Sequence, residues 1–205
     1  MPLFKIINHS KFTKILVWHI TETLSELAQN TPITVANTQR INTMKSEIHQ
    51  RAFLSIRKLL QQISLTDTDL CYDETGKPHL TNNQFISISH SHEFATIIVS
   101  DQQVGIDIEM LREKIITIAD KFSVETLNKK VKQNYIKKLT VIWGAKEAIF
   151  KILNQKGISF KNHITVDNFN LLHKQTRAIV TFNATVATFS IFYLKINNYM
   201  LVYAM

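Results

Sequence analysis

The sequence predicts an α+β fold, and three observations carry that reading. Residues 43–62 set Ile48, Ala52, Ile56, Leu59 and Ile63 at helical spacing, whereas residues 178–182, 187–194 and 199–203 read as successive short strands parted by asparagine turns. Between them, Ile106 and Ile108 alternate with Gly105, Asp107 and Glu109, the period of a strand with one apolar and one polar face. With 205 residues, 45% of them hydrophobic, the chain can bury a full core, as one large domain or two small ones in tight contact.

In chain order, residues 14–20 are aliphatic and aromatic, a strand buried on at least one face, with His19 a strand residue rather than a ligand. Thr21 then starts a helix in which Leu24, Leu27 and Ala28 share a face, and Asn30-Thr31-Pro32 ends it. In the helix over 43–62, Arg51 and Arg57 flank the apolar stripe; each is either a surface arginine or a phosphate anchor at the edge of a buried helix. Residues 67–72 read as a connector and 74–78 as a turn, with Lys77 at its tip and Pro78 blocking continuation.

Residues 85–88 alternate as a strand, a bend over 89–92 holds hydroxyls and imidazoles, and 95–100 resume as an apolar strand. A structural role is favoured for His92 but not for His90. The Ser-His pairs suggest a hydrolase, yet no Gly-x-Ser-x-Gly elbow is present, and third and fourth ligands for a histidine metal site are not apparent. Residues 111–120 form a charged connection, Ser123 is placed to cap a helix, and a further helix carries Trp143, Glu147 and Lys151 four apart on one face.

No run approaches the roughly 20 apolar residues that span a bilayer, and the start of the chain lacks a secretory apolar region, so a cytoplasmic, membrane-free protein is expected. Cys71 is the single cysteine, which excludes an internal disulfide and a cysteine zinc cluster; it reads as inert packing. A net charge of +8 anticipates an acidic partner. The densest basic cluster, Lys129, Lys130, Lys132, Lys137 and Lys138, comes without a zinc finger or an RNP signature, and charge alone does not choose between nucleic acid, a phosphorylated cofactor and an acidic protein.

The chemistry centres on the carboxylates. Asp107 and Glu109 leave their strand on the same side, and Glu147 comes from a helix with Lys151 one turn beyond. Three hard oxygen donors beside an ammonium suit Mg²⁺ next to a phosphate group.

In order and spacing, Gly76-Lys77-Pro78, Ser87-Ile88-Ser89-His90-Ser91, Gly105-Ile106-Asp107-Ile108-Glu109, Phe122-Ser123 and 143–151 resemble the 4'-phosphopantetheinyl transferases. Length and the Ser-His-Ser motif are similar to the monomeric, surfactin-synthetase-activating type. The resemblance implies two similar α/β halves about a pseudo-twofold axis, residues 1–101 with coenzyme A-binding motifs and 102–205 with Mg²⁺-binding motifs, the ligands lying in the cleft between them. It implies transfer of phosphopantetheine from coenzyme A to a serine of an acidic acyl or peptidyl carrier protein, with release of adenosine 3',5'-bisphosphate. By motif match, Asp107, Glu109 and Glu147 are metal ligands. Lys151 contacts the cofactor phosphates and assists the leaving group. Arg51, Lys77, Pro78, Ser89, His90 and Asp107 match cofactor-binding positions. Gly144 stands where serine, threonine or another small residue is common, and Glu125 is off the usual register after Phe-Ser.

A serine hydroxyl attacks only when a base takes its proton, and either Glu147 or Glu109 serves, directly or through water. The competing readings are a Mg²⁺-dependent nuclease or phosphatase, and a basic nucleic-acid-binding module whose acidic cluster is an ion-pair network.

Overall fold

The structure, a computed structural model, describes residues 2–124 and 131–205, so Glu125, Lys129 and Lys130 lie outside the described residues. The chain divides into two compact units, Met1–Gln103 and Val104–Met205. The architecture is mixed α and β, with antiparallel sheets throughout.

The first unit comprises β1 (Leu3–Asn8), β2 (Lys14–His19), α1 (Leu24–Gln29), α2 (Val35–Thr43), α3 (Glu47–Gln61), β3 (Leu70–Tyr72), β4 (Pro78–Leu80), β5 (Phe85–Ser91) and β6 (Phe94–Ser100). Its main sheet has the order β1-β2-β6-β5, and β3 and β4 pair separately. Ala52, Ile56 and Leu59 of α3 pack on Leu16, Trp18, Ile97 and Val99 of the sheet, which is what the helical spacing of that stripe requires.

Several local expectations change. Thr23, not Thr21, caps α1, because only Thr23 has Glu26 at the position that closes a capping box. The helix expected over 43–62 begins at Glu47, and its stripe starts at Ala52 since Ile48 is 48% exposed. Residues 35–43 form a helix of their own, α2, which hid in the sequence because Ile41 is its one buried side chain. The connector over 67–72 contains a 3₁₀ turn and β3. Ser89, His90 and Ser91 belong to β5, and the chain reverses after them, where His92 takes φ +48°. Cys71 is exposed rather than packed.

Arg57 is not a phosphate anchor. It is 2% exposed, its Nε donates to Asp67 Oδ1 at 2.8 Å, and its guanidinium lies 3.4 Å from the Phe53 ring centroid.

The second unit comprises β7 (Gly105–Met110), α4 (Lys114–Ile118), α5 (Lys132–Leu153), α6 (Phe160–His163), β8 (Ile164–Val166), β9 (Gln175–Phe182), β10 (Thr185–Ile196) and β11 (Tyr199–Ala204). The sheet order is β7-β11-β10-β9-β8. Asn183 and Ala184 turn β9 into β10, and Asn197 turns β10 into β11, all with positive φ, the conformation that two-residue hairpin loops require. The charged connection over 111–120 holds α4. The Ser123 N–H donates to Ala119 O; the helix that Ser123 is expected to cap would run over 125–130, outside the described residues, and α5 has its own N-cap at Val131.

Helix α5 lies directly on the sheet, its Ile142, Ala145 and Ile149 joining Val180, Ile191 and Val202 in one core. Two glycines permit this closeness. A Cβ on Gly105 would stand 1.9 Å from Ala148 O, and one on Gly144 would stand 2.8 Å from Val202 Cγ2. A larger residue would lift the helix off the sheet, at β7 for Gly105 and at β11 for Gly144.

Candidate active site

The polar face of β7 is turned toward α5 rather than toward solvent. Trp143 Nε1 donates to Glu109 Oε1 at 3.3 Å, while Lys151 Nζ donates to Asp107 Oδ1 at 3.0 Å and to Ile106 O at 2.7 Å. Trp143 meets residue 109 and Ala148 meets residue 105, so the helix runs antiparallel to the strand. The stripe of Trp143, Glu147 and Lys151 expected from four-residue spacing therefore lies over the Asp107 and Glu109 strand. Asp107 is only 5% exposed, and a Cβ on Gly144 would come within 3.7 Å of its Oδ2.

Burial and crowding set the electrostatics. The Glu109 carboxyl is pushed up to about 7, first by burial and then by the Asp107 charge; Trp143 and Arg112 oppose the rise, and Glu147 adds to it. Glu147 is raised for the same two leading reasons, burial and Asp107, with Lys151 opposing. Asp107 raises the proton affinity of both glutamates while Lys151 and Arg112 offset the rise only in part, and a divalent cation would relieve the remaining repulsion. The donor set, three hard oxygens, is of the right chemistry for Mg²⁺. Among the described residues, however, no group of three or more Asp, Glu, His or Cys side chains stands ready to hold a metal ion, and Lys151 occupies one Asp107 oxygen. Metal binding at these residues requires the side chains to converge. Beside Glu109 a cavity of about 240 Å³ opens, lined by Glu109, Arg112, Lys114, Thr140 and Trp143 together with apolar side chains of α4.

In the first unit the cofactor-matching residues separate into groups. His90 pairs with Ala95 across the sheet, on the face that α3 covers, and its ring centroid is 5.6 Å from that of His49. Arg51, two residues along α3, donates through Nη2 to Ile20 O at 3.0 Å, and Ile20 N–H in turn donates to Glu93 O. His49, Arg51 and His90 thus gather at the end of the sheet where β5 turns into β6. Ser89 pairs with Thr96 on the opposite face and is 8% exposed; strand alternation keeps its side chain apart from that of His90. Lys77 stands at the foot of its turn rather than at the tip: its N–H donates to Asp73 Oδ1 at 3.0 Å, and its carbonyl accepts from Asp73 N–H. Pro78 follows as the first residue of β4. Thr75, then His79, hold the Asp73 carboxyl well below the usual range, so the turn is charged and rigidly bonded.

Sequence reasoning passed over two residues here. His49 carried no signal, being a polar residue on the exposed side of a helix. Lys146 did carry one, a lysine amid Ala145, Ala148 and Ile149, and it is fully buried.

A sequence profile of the 4'-phosphopantetheinyl transferase superfamily matches residues 103–204. The chain is also similar to the 4'-phosphopantetheinyl transferase gsp of Aneurinibacillus migulanus, at 30% identity over 134 residues, which is 62% of this chain and 54% of that protein. The match thus spans about half the length of that relative. As the profile runs the length of the unit in which α5 crosses β7, the chain belongs to the 4'-phosphopantetheinyl transferase superfamily.

Proposed function

We propose that this protein transfers the 4'-phosphopantetheine arm of coenzyme A to a serine hydroxyl of an acyl or peptidyl carrier protein, releasing adenosine 3',5'-bisphosphate, as a monomer of the surfactin-synthetase-activating type. The observation that carries the reading is the facing of Asp107 and Glu109 on β7 by Trp143 and Lys151 on α5, inside the segment that the family profile matches. In this reading Asp107, Glu109 and Glu147 hold Mg²⁺, which when bound supplies positive charge to the pyrophosphate being cleaved. Arg51, Lys77 and His90, with Pro78 and Ser89, hold coenzyme A.

The chain's own residues do the rest. The serine oxygen attacks the phosphorus that bears the pantetheine arm, its proton passes to a carboxylate, and the bond to the bisphosphate breaks. Glu109 and Glu147, both raised in proton affinity by burial and by the Asp107 charge, are the two carboxylates suited to take that proton, directly or through water. The Lys151 ammonium, 29% exposed at its side chain, supplies positive charge as the leaving phosphate gains negative charge. Arg112 and Lys114 beside the cavity at Glu109, and the +8 charge of the whole chain, favour an acidic carrier as the second substrate. No helix among the described residues is long and apolar enough to cross a membrane, in keeping with work on a carrier in the cytoplasm.

Incubation with coenzyme A, Mg²⁺ and apo carrier proteins, read by intact mass, tests the proposal. A carrier that gains one phosphopantetheine is the expected result. Cleavage of nucleic acid with Mg²⁺ and without coenzyme A, and no gain on any carrier, would overturn it in favour of a phosphodiesterase.

A further inference from the structure

Lys146 has no exposed surface and sits one turn after Trp143 on α5. An ammonium is stable in a protein interior only when oxygens take its protons. Its Nζ donates to Phe122 O at 2.6 Å and to Phe160 O at 2.9 Å. These acceptors lie 24 residues before and 14 residues after it, in segments outside α5. They are also the backbone carbonyls of the two residues whose rings flank the Trp143 indole. The Phe122 ring stands edge-on to the indole, 5.1 Å between centroids at 71°, and the Phe160 ring lies 5.6 Å away at 58°. Phe150, one turn beyond Lys146, backs the Phe160 ring at 5.8 Å. Between its flanking rings, the indole N–H donates to Glu109 Oε1.

We propose that Lys146 is a positioning residue for the transfer reaction: its ammonium fixes the Phe122 and Phe160 backbones, their rings fix the Trp143 indole, and the indole holds Glu109. The proposal rests on the function proposed above for its catalytic consequence, but the chain of contacts is independent of it. Packing alone gives no reason for a lysine at this position, since methionine fills a similar volume without presenting three N–H donors. What the lysine adds is directional attachment of two separate segments to one helix face, the support that holds an acting side chain within a narrow range of positions.

The test uses the full chain and the indole N–H resonances of its two tryptophans, Trp18 and Trp143, with the Trp143 signal assigned by its loss in Trp143→Phe. In Lys146→Met the Trp143 resonance is expected to move while that of Trp18 stays in place. Transfer should lose about 10–100-fold in kcat, with KM for coenzyme A changed by less than about 2-fold. A purely structural role predicts a lower melting temperature and activity reduced only in proportion to the folded fraction; that outcome, or an unmoved Trp143 resonance, overturns the proposal. Should Lys146→Met not fold, Phe160→Leu leaves both carbonyls in place and removes one flanking ring. It is expected to shift the same resonance and lower kcat by about 3–10-fold, and no change in either overturns the proposal. A wild-type chain that folds but transfers nothing overturns the proposed function instead, and the indole resonance then decides by itself whether Lys146 holds the contact between Trp143 and Glu109.

Discussion

Each unit buries an aspartate against a cation from its longest helix, and the two pairs behave oppositely. In the first, Asp67 accepts from Arg57 Nε at 2.8 Å, from Thr34 N–H at 2.7 Å and from Asn37 Nδ2 at 2.8 Å. Burial works against the Asp67 charge more than any single partner favours it, yet Asn37, Thr34 and Arg57 together hold its pKa below the ordinary value. In the second, Asp107 pairs with Lys151 at 3.0 Å but has two carboxylate neighbours, Glu109 and Glu147, whose proton affinities rise through burial and the Asp107 charge. In the first pair the Asp67 carboxylate is satisfied, although Arg57 Nη2 has no hydrogen-bond partner among the described residues, and the pair ties α3 to the loop ahead of β3. The second leaves negative charge in surplus, as a site awaiting a cation or a proton requires and a structural ion pair does not.

Breaking the Arg57–Asp67 pair should affect stability most. Arg57→Met keeps the volume but leaves Asp67 buried beside two neutral donors, and should cost about 3–5 kcal/mol of unfolding free energy in denaturant titration. Transfer per folded molecule should remain near wild type. Asp107→Asn should do the reverse, lowering transfer by about 10²–10³-fold while the denaturation midpoint moves little. If Asp107→Asn stays active at saturating Mg²⁺, the surplus of charge in the second unit has no catalytic use.

Glu147→Gln and Lys151→Ala sharpen the contrast inside the second unit, each by about 10–100-fold in transfer. In Glu147→Gln the Mg²⁺ titration should shift to higher concentration, because a donor oxygen has lost its charge. In Lys151→Ala it should shift little while kcat falls, because the missing charge is needed as the phosphate leaves. Equal rescue of both variants by Mg²⁺ would refute this division. Lys77→Ala and His90→Ala in the first unit should each raise KM for coenzyme A by about 10-fold. Coenzyme A titrations that match wild type in both variants would move the cofactor away from these residues.

The smallest expected effect is on pH dependence in chelator. Glu109 has its folded pKa raised to about 7 from 4.5, so the folded state binds more protons than the unfolded one between those values, and its contribution to stability falls as pH rises across that window. Asp67 has the opposite sign: its folded pKa is depressed, and its contribution, present above the unfolded value, is lost as pH falls through the folded one. Melting temperatures across pH 2–8 in Glu109→Gln should show a smaller decline toward neutrality than wild type, the remainder coming from the likewise raised Glu147, and should keep the loss in acid; an unchanged neutral slope would rule out Glu109 as a source.

Much of the molecule was legible from short-range pattern. Alternation around Ile106 and Ile108 placed β7, spacing in α3 placed its buried stripe, and Asn183 and Asn197 marked hairpins, because these features need only neighbouring residues and a backbone preference. Residue type, spacing and family likeness also picked out Asp107, Glu109, Glu147 and Lys151 together. The tertiary structure decided what each charge does, because that depends on partners remote in sequence. Arg51 and Arg57 flank the same stripe, yet Arg57 is taken by Asp67 while Arg51 reaches Ile20 O. Ser89 and His90 are adjacent, yet the pleat sends them to opposite faces. The polar side of β7 is buried because Gly105 and Gly144 let α5 close upon the sheet, and that contact, which no local pattern encodes, raises the proton affinity of Glu109 and Glu147.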